Sequence, residues 1–209
     1  MSAARGRHAP PPEVRLPLQR DRLLRAAALE FAQRGYAGSS SESISRRAAM
    51  SKATFYEHFS NKEQCMLALY EHATRVVQAA MATAAANAPT GDADERMKAG
   101  TRAFLTALAE NPEFAQTLLV EIIGAGPLAS QRRDQILQTF AAVLDAENAA
   151  AARRGLIGRF ASPYDTFAVV GAIGELVSRQ VRLGQPEDIL DLAPVIDRLI
   201  LGLLPPARS

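Results

Sequence analysis

Apolar positions recur at helical spacing from Arg20 onward, with Leu24, Ala27, Ala28 and Phe31 on one face and Gly35 placed as a left-handed helix stop. Ser39-Ser40-Ser41-Glu42 comes next, and Ser39 and Glu42 have the spacing of a capping box. A short second helix is therefore predicted, ending near Ala48 and Ala49. Ser51 is placed to cap a third helix, with Lys52, Ala53 and Thr54 in its first turn. Two short helices joined by a turn of three or four residues are the outline of a helix-turn-helix.

Downstream the pattern lengthens. Met66, Leu69, Tyr70, Ala73, Val77, Ala80 and Met81 form one stripe of a helix predicted from Asn61 to about residue 86. Pro89-Thr90-Gly91 interrupts it, and Asp92 with Glu95 opens another. Asn111-Pro112 reads as a cap followed by proline at the first helical position. Residues 124–127 break the chain, a helix over 128–154 ends at Gly155, and Ser162-Pro163-Tyr164-Asp165 opens the next, which reaches about residue 183. The last helix is expected to start near Pro186 and stop at Pro205-Pro206. The sum is an all-α fold of about nine helices.

Composition agrees with that reading. Of the 209 residues 48% are hydrophobic, Trp is absent, and Ala and Leu dominate, so a helical core can be buried. No apolar run approaches the roughly 20 residues that cross a bilayer, and the N-terminus lacks a secretory stretch, so a cytoplasmic protein without membrane contact is expected. Cys65 stands alone and reads as a small buried hydrophobe; no cofactor, metal site or catalytic constellation emerges, and the chain is not expected to be an enzyme.

Charge is unevenly spread. Residues 1–62 hold 11 Lys/Arg against 5 Asp/Glu, a balance of +6, whereas the remainder is at −4. A basic front joined to a mildly acidic remainder suits phosphate-backbone binding by the first part alone. Residues 1–19, with Pro10, Pro11 and Pro12, are expected to form a flexible basic arm in which Arg5, Arg7 and Arg15 are solvated in preference to reaching DNA.

Candidate chemistry concentrates in residues 51–62. On a helix Phe55 and Phe59 share the inward face, leaving Lys52, Thr54 and Tyr56 to solvent. The Thr54 and Tyr56 hydroxyls and the Lys62 ammonium can meet phosphates, Lys52 a phosphate or a base edge, and Ala53 a thymine methyl. His58 reads as structural or as a phosphate neighbour, since no second ligand stands at metal-binding spacing; His72 is read the same way.

Phe31-Ala32-Gln33-Arg34-Gly35-Tyr36, Ile44, Ser51 to Phe59 and Asn61-Lys62-Glu63 together resemble the DNA-binding domain of the TetR/AcrR family of regulators over about 50 residues. The resemblance implies a helix-turn-helix domain over residues 20–65 and a larger helical effector-binding and dimerisation domain over 66–209. It implies that residues 51–58 form the recognition helix, that Tyr56 and Lys62 clamp phosphates, and that Ser40 and Ser41 touch the backbone. Ala49-Met50 stands where family members often have Gly-Val, which predicts strain at a positive φ. Glu42 precedes a helix that approaches anionic DNA, and its capping role is the local reason expected for it.

For the remainder the resemblance implies a homodimer built on the last two helices, with Phe167, Val170, Gly171, Gly174, Val177 and Val181 on the candidate interface face. It also implies an apolar cavity for a small, largely apolar effector. Phe104, Leu108, Phe114, Leu118, Phe140 and Leu144 are candidate lining residues with Glu121 as polar anchor. The same stripe also serves an ordinary core, and water-facing placement accounts for Glu121 equally well. The expected function is a sequence-specific repressor of double-stranded operator DNA, released by that effector. The alternative is a ligand-independent or ligand-activated dimeric regulator.

Overall fold

The computed structural model describes residues 11–89 and 92–203. Arg5, Arg7, the Thr90-Gly91 break and the stop at Pro205-Pro206 lie outside them. Among the described residues there are nine α-helices and no strand: α1 (Pro12–Gly38), α2 (Ser41–Arg47), α3 (Lys52–His58), α4 (Lys62–Asn87), α5 (Ala93–Glu110), α6 (Pro112–Leu119), α7 (Pro127–Arg153), α8 (Pro163–Leu183) and α9 (Ala193–Gly202). Short 3-10 turns at Glu121–Gly124 and Ile189–Leu192 lead into α7 and α9.

Most helix starts follow the local chemistry of the sequence. Ser51, Asn61 and Asp92 each accept a backbone N–H of the first turn of α3, α4 and α5, and Ser162 and Asp165 form a reciprocal capping box at α8. Four expectations are corrected. The flexible arm fails from Pro12 onward, because α1 begins there with proline in its first turn, and Pro17 sits within its opening turns. The box at α2 pairs Ser40 with Ser43, not Ser39 with Glu42: Ser43 N donates to Ser40 Oγ and Ser40 N to Ser43 Oγ, both at 3.0 Å. Asn111 does not cap α6; its side-chain amide donates back to the Ala107 carbonyl at 2.9 Å. The last segment opens as the 3-10 turn and reaches α-helix only at Ala193.

Two cores hold the molecule. The first gathers Leu23, Leu24, Ala27 and Phe31 of α1, Ile44 of α2, Phe55 and Phe59 around α3, and Cys65, Met66, Leu69 and Tyr70 of α4. It also takes in Ile122, Ala125 and Ala129 from the approach to α7. The expected boundary between residues 65 and 66 is therefore not a boundary in packing. The second core joins Val77 of α4 to Leu105 and Leu108 of α5, Val169 and Val177 of α8, and Ile196 and Ile200 of α9. Since α4 carries Met66 into one core and Val77 into the other, a rigid rod links them. Burying a Phe or Leu side chain contributes about 1.5–3 kcal/mol, so Phe31, Phe55 and Leu69, each fully buried, dominate the first core.

Beside the first core, the opening of α7 lies close against α4. Gly126, at φ 108, passes so near the first turn of α4 that a Cβ there would come within 2.9 Å of Glu63 Oε1. Arg132 of α7 pairs with Glu71 of α4 at 2.9 Å. No helix among the described residues is long and apolar enough to cross a membrane.

Candidate nucleic-acid interface

The local chemistry of α3 orients it. Ser51 Oγ accepts Thr54 N at 3.0 Å and lies 2.9 Å from the Thr54 hydroxyl, which fixes the first turn. Phe55 is fully buried, Phe59 nearly so, with ring centroids 5.5 Å apart, and the Arg20 guanidinium sits 5.0 Å above the Phe59 ring. With that face held down, Lys52, Ala53, Tyr56 and Glu57 are exposed. Tyr56 stands 49% exposed, its ring edge-on to Phe55.

The preceding helix is anchored by a buried charge. Glu30, 2% exposed, receives Arg47 Nε at 2.7 Å and lies 3.3 Å from Arg34 Nε. Burial alone would raise its pKa, yet the Arg47 and Ser43 hydrogen bonds and the two guanidiniums outweigh it and hold the carboxyl below its ordinary value. In the turn, Ala49 adopts φ 51, as the missing glycine led us to expect. Its neighbour Ala48 offers its carbonyl to Arg22 at 2.8 Å.

Other expected contact residues are placed less simply. Ser40 is exposed but its hydroxyl is the α2 cap; Ser41 is half-buried, and its carbonyl accepts the Ser45 hydroxyl at 2.6 Å. Ser51 and Thr54 engage each other. His58 is half-buried, with Nε2 3.4 Å from the Gln19 carboxamide oxygen; burial, then Arg20 and Arg15, lower its pKa against the opposing pull of Glu57. Lys62 departs most from expectation. Its ammonium donates to the carbonyls of Tyr36 at 2.6 Å and Ser39 at 2.9 Å and lies 4.0 Å from the centroid of the Tyr36 ring. Two of its three donors thus hold the α1–α2 turn, and burial lowers its pKa. Cys65 is buried, its thiol pushed up to about 12 by desolvation, and so is inert as expected.

In the second half, Phe104, Leu108, Phe140 and Leu144 join the second core, and Leu118 touches both cores. Phe114 parts from them: it packs on the first core, edge-on to His72 at 5.7 Å. Glu121 is half-buried and engages the first half of the chain. Its Oε2 accepts the backbone N–H of Tyr36 at 2.6 Å and its Oε1 accepts the Gln116 amide at 2.8 Å. Gly35, at φ 71, supplies the left-handed backbone beside this contact, and a Cβ there would meet Glu121 Oε2 only at an ordinary 3.5 Å. No local signal in the sequence could pair residues this far apart.

Along α8, Phe167 is 41% exposed and Gly171 and Gly174 have open space around them, whereas Val177 is fully buried and Val181 packs on the second core. Val177 is therefore corrected from the interface face to the interior, while Val181 is half-buried at the edge of the second core. Tyr164, Leu183 and Val195, exposed apolar residues missed by sequence reasoning, lie on the same two last helices.

Residues 23–69 match the model described as bacterial regulatory proteins, tetR family. The chain is similar to the solved structure of the fatty acid degradation regulator FadR from Bacillus halodurans, at 18% identity, TM-score 0.78, and coverage of 94% of this chain and 97% of that one. FadR from Bacillus subtilis in complex with stearoyl-CoA matches at 20% identity and TM-score 0.75, over 87% of this chain and 97% of that one. The TetR family transcriptional regulator PfmR from Thermus thermophilus matches at 24% identity and TM-score 0.67, over 91% of this chain and 98% of that one. No curated protein matches the sequence. These identities carry the fold, and the match over α1 to α4 shows that residues 23–69 are similar to the helix-turn-helix segment of the tetR family of bacterial regulatory proteins.

Proposed function

We propose that the protein is a cytoplasmic repressor that binds a roughly two-fold operator as a homodimer and leaves it when a small, largely apolar effector binds the second half. The Glu121–Tyr36 hydrogen bond carries the effector-linked part of this reading, because it joins the segment between α6 and α7 directly to the turn that precedes α2. In the DNA complex, Lys52 and Ala53 face base edges and Tyr56 a phosphate, while Ser40, Ser41, Ser51, Thr54 and His58 flank them. The exposed Phe167 and the open glycines of α8 support self-association through α8 and α9. An effector releases DNA only in so far as it binds the misplaced arrangement of the recognition helices more tightly than the competent one.

Phe104, Leu108, Leu118, Phe140 and Leu144 make the interior of the second half apolar, which suits an acyl chain, and the stearoyl-CoA named with the Bacillus subtilis structure makes long-chain acyl-CoA the first class to try. The test is binding of genomic fragments followed by fluorescence anisotropy on the selected duplex. Wild type should choose one fragment over the rest, Lys52→Ala should lose that preference, Tyr56→Phe should weaken all binding, and stearoyl-CoA should release the duplex. Equal binding of every fragment would remove operator recognition. Retention of the duplex at saturating stearoyl-CoA would remove this effector class.

A further inference from the structure

A groove of about 460 Å³ runs between the opening turns of α1 and the turn leading into α3. Arg15, Gln19 and Arg22 form one wall; Met50, Ser51 and Thr54 belong to the other. Positions 15, 19 and 22 fall at i, i+4 and i+7, so the helix that replaces the expected flexible arm sets them on a single face. Two guanidiniums and no carboxylate are among the lining residues, which makes the groove an anion site by charge. Its floor is also fixed. Arg22 is tied to the Ala48 carbonyl at 2.8 Å, and Gln19 meets His58 at the far end of α3 at 3.4 Å, so α1 and α3 are held in register. Because Ser51 and Thr54 belong to the same helix as Lys52 and Tyr56, an anion in the groove lies beside whatever α3 reads.

We propose that this groove is a second DNA-backbone site, in which Arg15 and Arg22 receive a phosphodiester flanking the base pairs faced by α3. The proposal rests on the DNA-binding reading above. It gives the opening of α1 a function, and it replaces Lys62, whose ammonium is turned inward, as the charged flank of the recognition helix. Guanidinium groups suit the task, since their planar donors match two phosphate oxygens at once.

Because a phosphate contact is blind to sequence, Arg15→Ala should weaken binding to the selected duplex and to a random duplex alike, by about fivefold to tenfold at about 0.1 M salt. The slope of log K against log salt should become shallower by about 0.9, and Arg15→Lys should keep it. Ethylating single phosphates should reveal one position per half-site that weakens wild type but not Arg15→Ala. Unchanged slope and ethylation pattern in Arg15→Ala, with Lys52→Ala still losing sequence preference, would overturn the groove and leave the DNA-binding reading intact. A wild type that binds no duplex overturns both. Replacing chloride by inorganic phosphate at equal ionic strength should affect wild type and Arg15→Ala alike; displacement of DNA from wild type alone would make the groove a free-phosphate site and also overturn the proposal. A thermal unfolding midpoint common to wild type, Arg15→Ala, Arg15→Lys and Lys52→Ala shows that the fold is unaltered.

Discussion

Glu121 accepts the backbone N–H of Tyr36 at 2.6 Å, although 85 residues separate the two in the chain. On the other side of the same residue, Lys62 takes the Tyr36 carbonyl at 2.6 Å. The turn between α1 and α2 is thus gripped by an acid from the segment after α6 and a base from the start of α4. Hydrogen bonds to charged groups contribute about 1.5–3 kcal/mol when partly sheltered, so Glu121→Ala should lower unfolding stability by about 2 kcal/mol, measured by urea titration. The Glu121→Ala and Lys62→Met changes should not add, with a coupling of about 0.5 kcal/mol or more in a double-mutant cycle. Additivity would mean that the two ends of the grip are independent.

Ala49 bears a cost that glycine would remove. A left-handed φ costs an L-residue about 1–2 kcal/mol, and the greater unfolded freedom of glycine offsets part of the gain. Ala49→Gly should raise stability by about 0.5–1 kcal/mol, seen as a higher urea midpoint at constant slope, while Ala49→Val should lower it.

Arg47 neutralises a carboxylate that water scarcely reaches. With Arg34 still 3.3 Å from Glu30, removing Arg47 costs the closer charged hydrogen bond but not all compensation, so Arg47→Ala should destabilise by about 2 kcal/mol. Arg47→Ala combined with Glu30→Leu should recover much of that loss, because no charge then remains buried. Denaturant melts of the single and double variants decide the point; equal losses would show that Arg47 acts by packing alone.

Histidine titration should make stability depend on pH. Burial holds both His58 and His72 below the ordinary value of 6.5, helped by Arg20 and Arg15 around the first and by Arg75, Arg25 and Arg20 around the second. Asp21 opposes this at His72 and Glu57 at His58. The unfolded chain therefore binds more protons as the pH falls through 6.5. Stability is complete above that pH and declines below it until the folded-state values are reached. Melting midpoints between about pH 7.5 and about pH 5.5 should fall for wild type and fall less for a His58→Gln, His72→Gln double variant.

Local chemistry alone determined much of this protein. Caps at Ser51, Asn61, Asp92 and Ser162 and stops at Gly155 and Gly184 are interactions within one helical turn, so their residues could be read directly. The inward pair Phe55 and Phe59 and the outward Tyr56 follow from helical periodicity, whereas the positive φ of Ala49 was expected from the family resemblance, since members often have glycine there. Tertiary structure decided the rest. Proline next to a basic stretch read as a flexible arm, yet Pro12 stands in the first turn of α1, where proline is tolerated, and the helix continues from it and brings Arg15 and Arg22 to the groove. Whether Val177 faces a partner or its own core depends on which side of α8 the other helices occupy, and periodicity is blind to that. The charges were least readable, since a carboxylate or an ammonium goes wherever the fold leaves a backbone group unsatisfied. For Glu121 and Lys62 that group was supplied by Tyr36, a residue far from both in sequence.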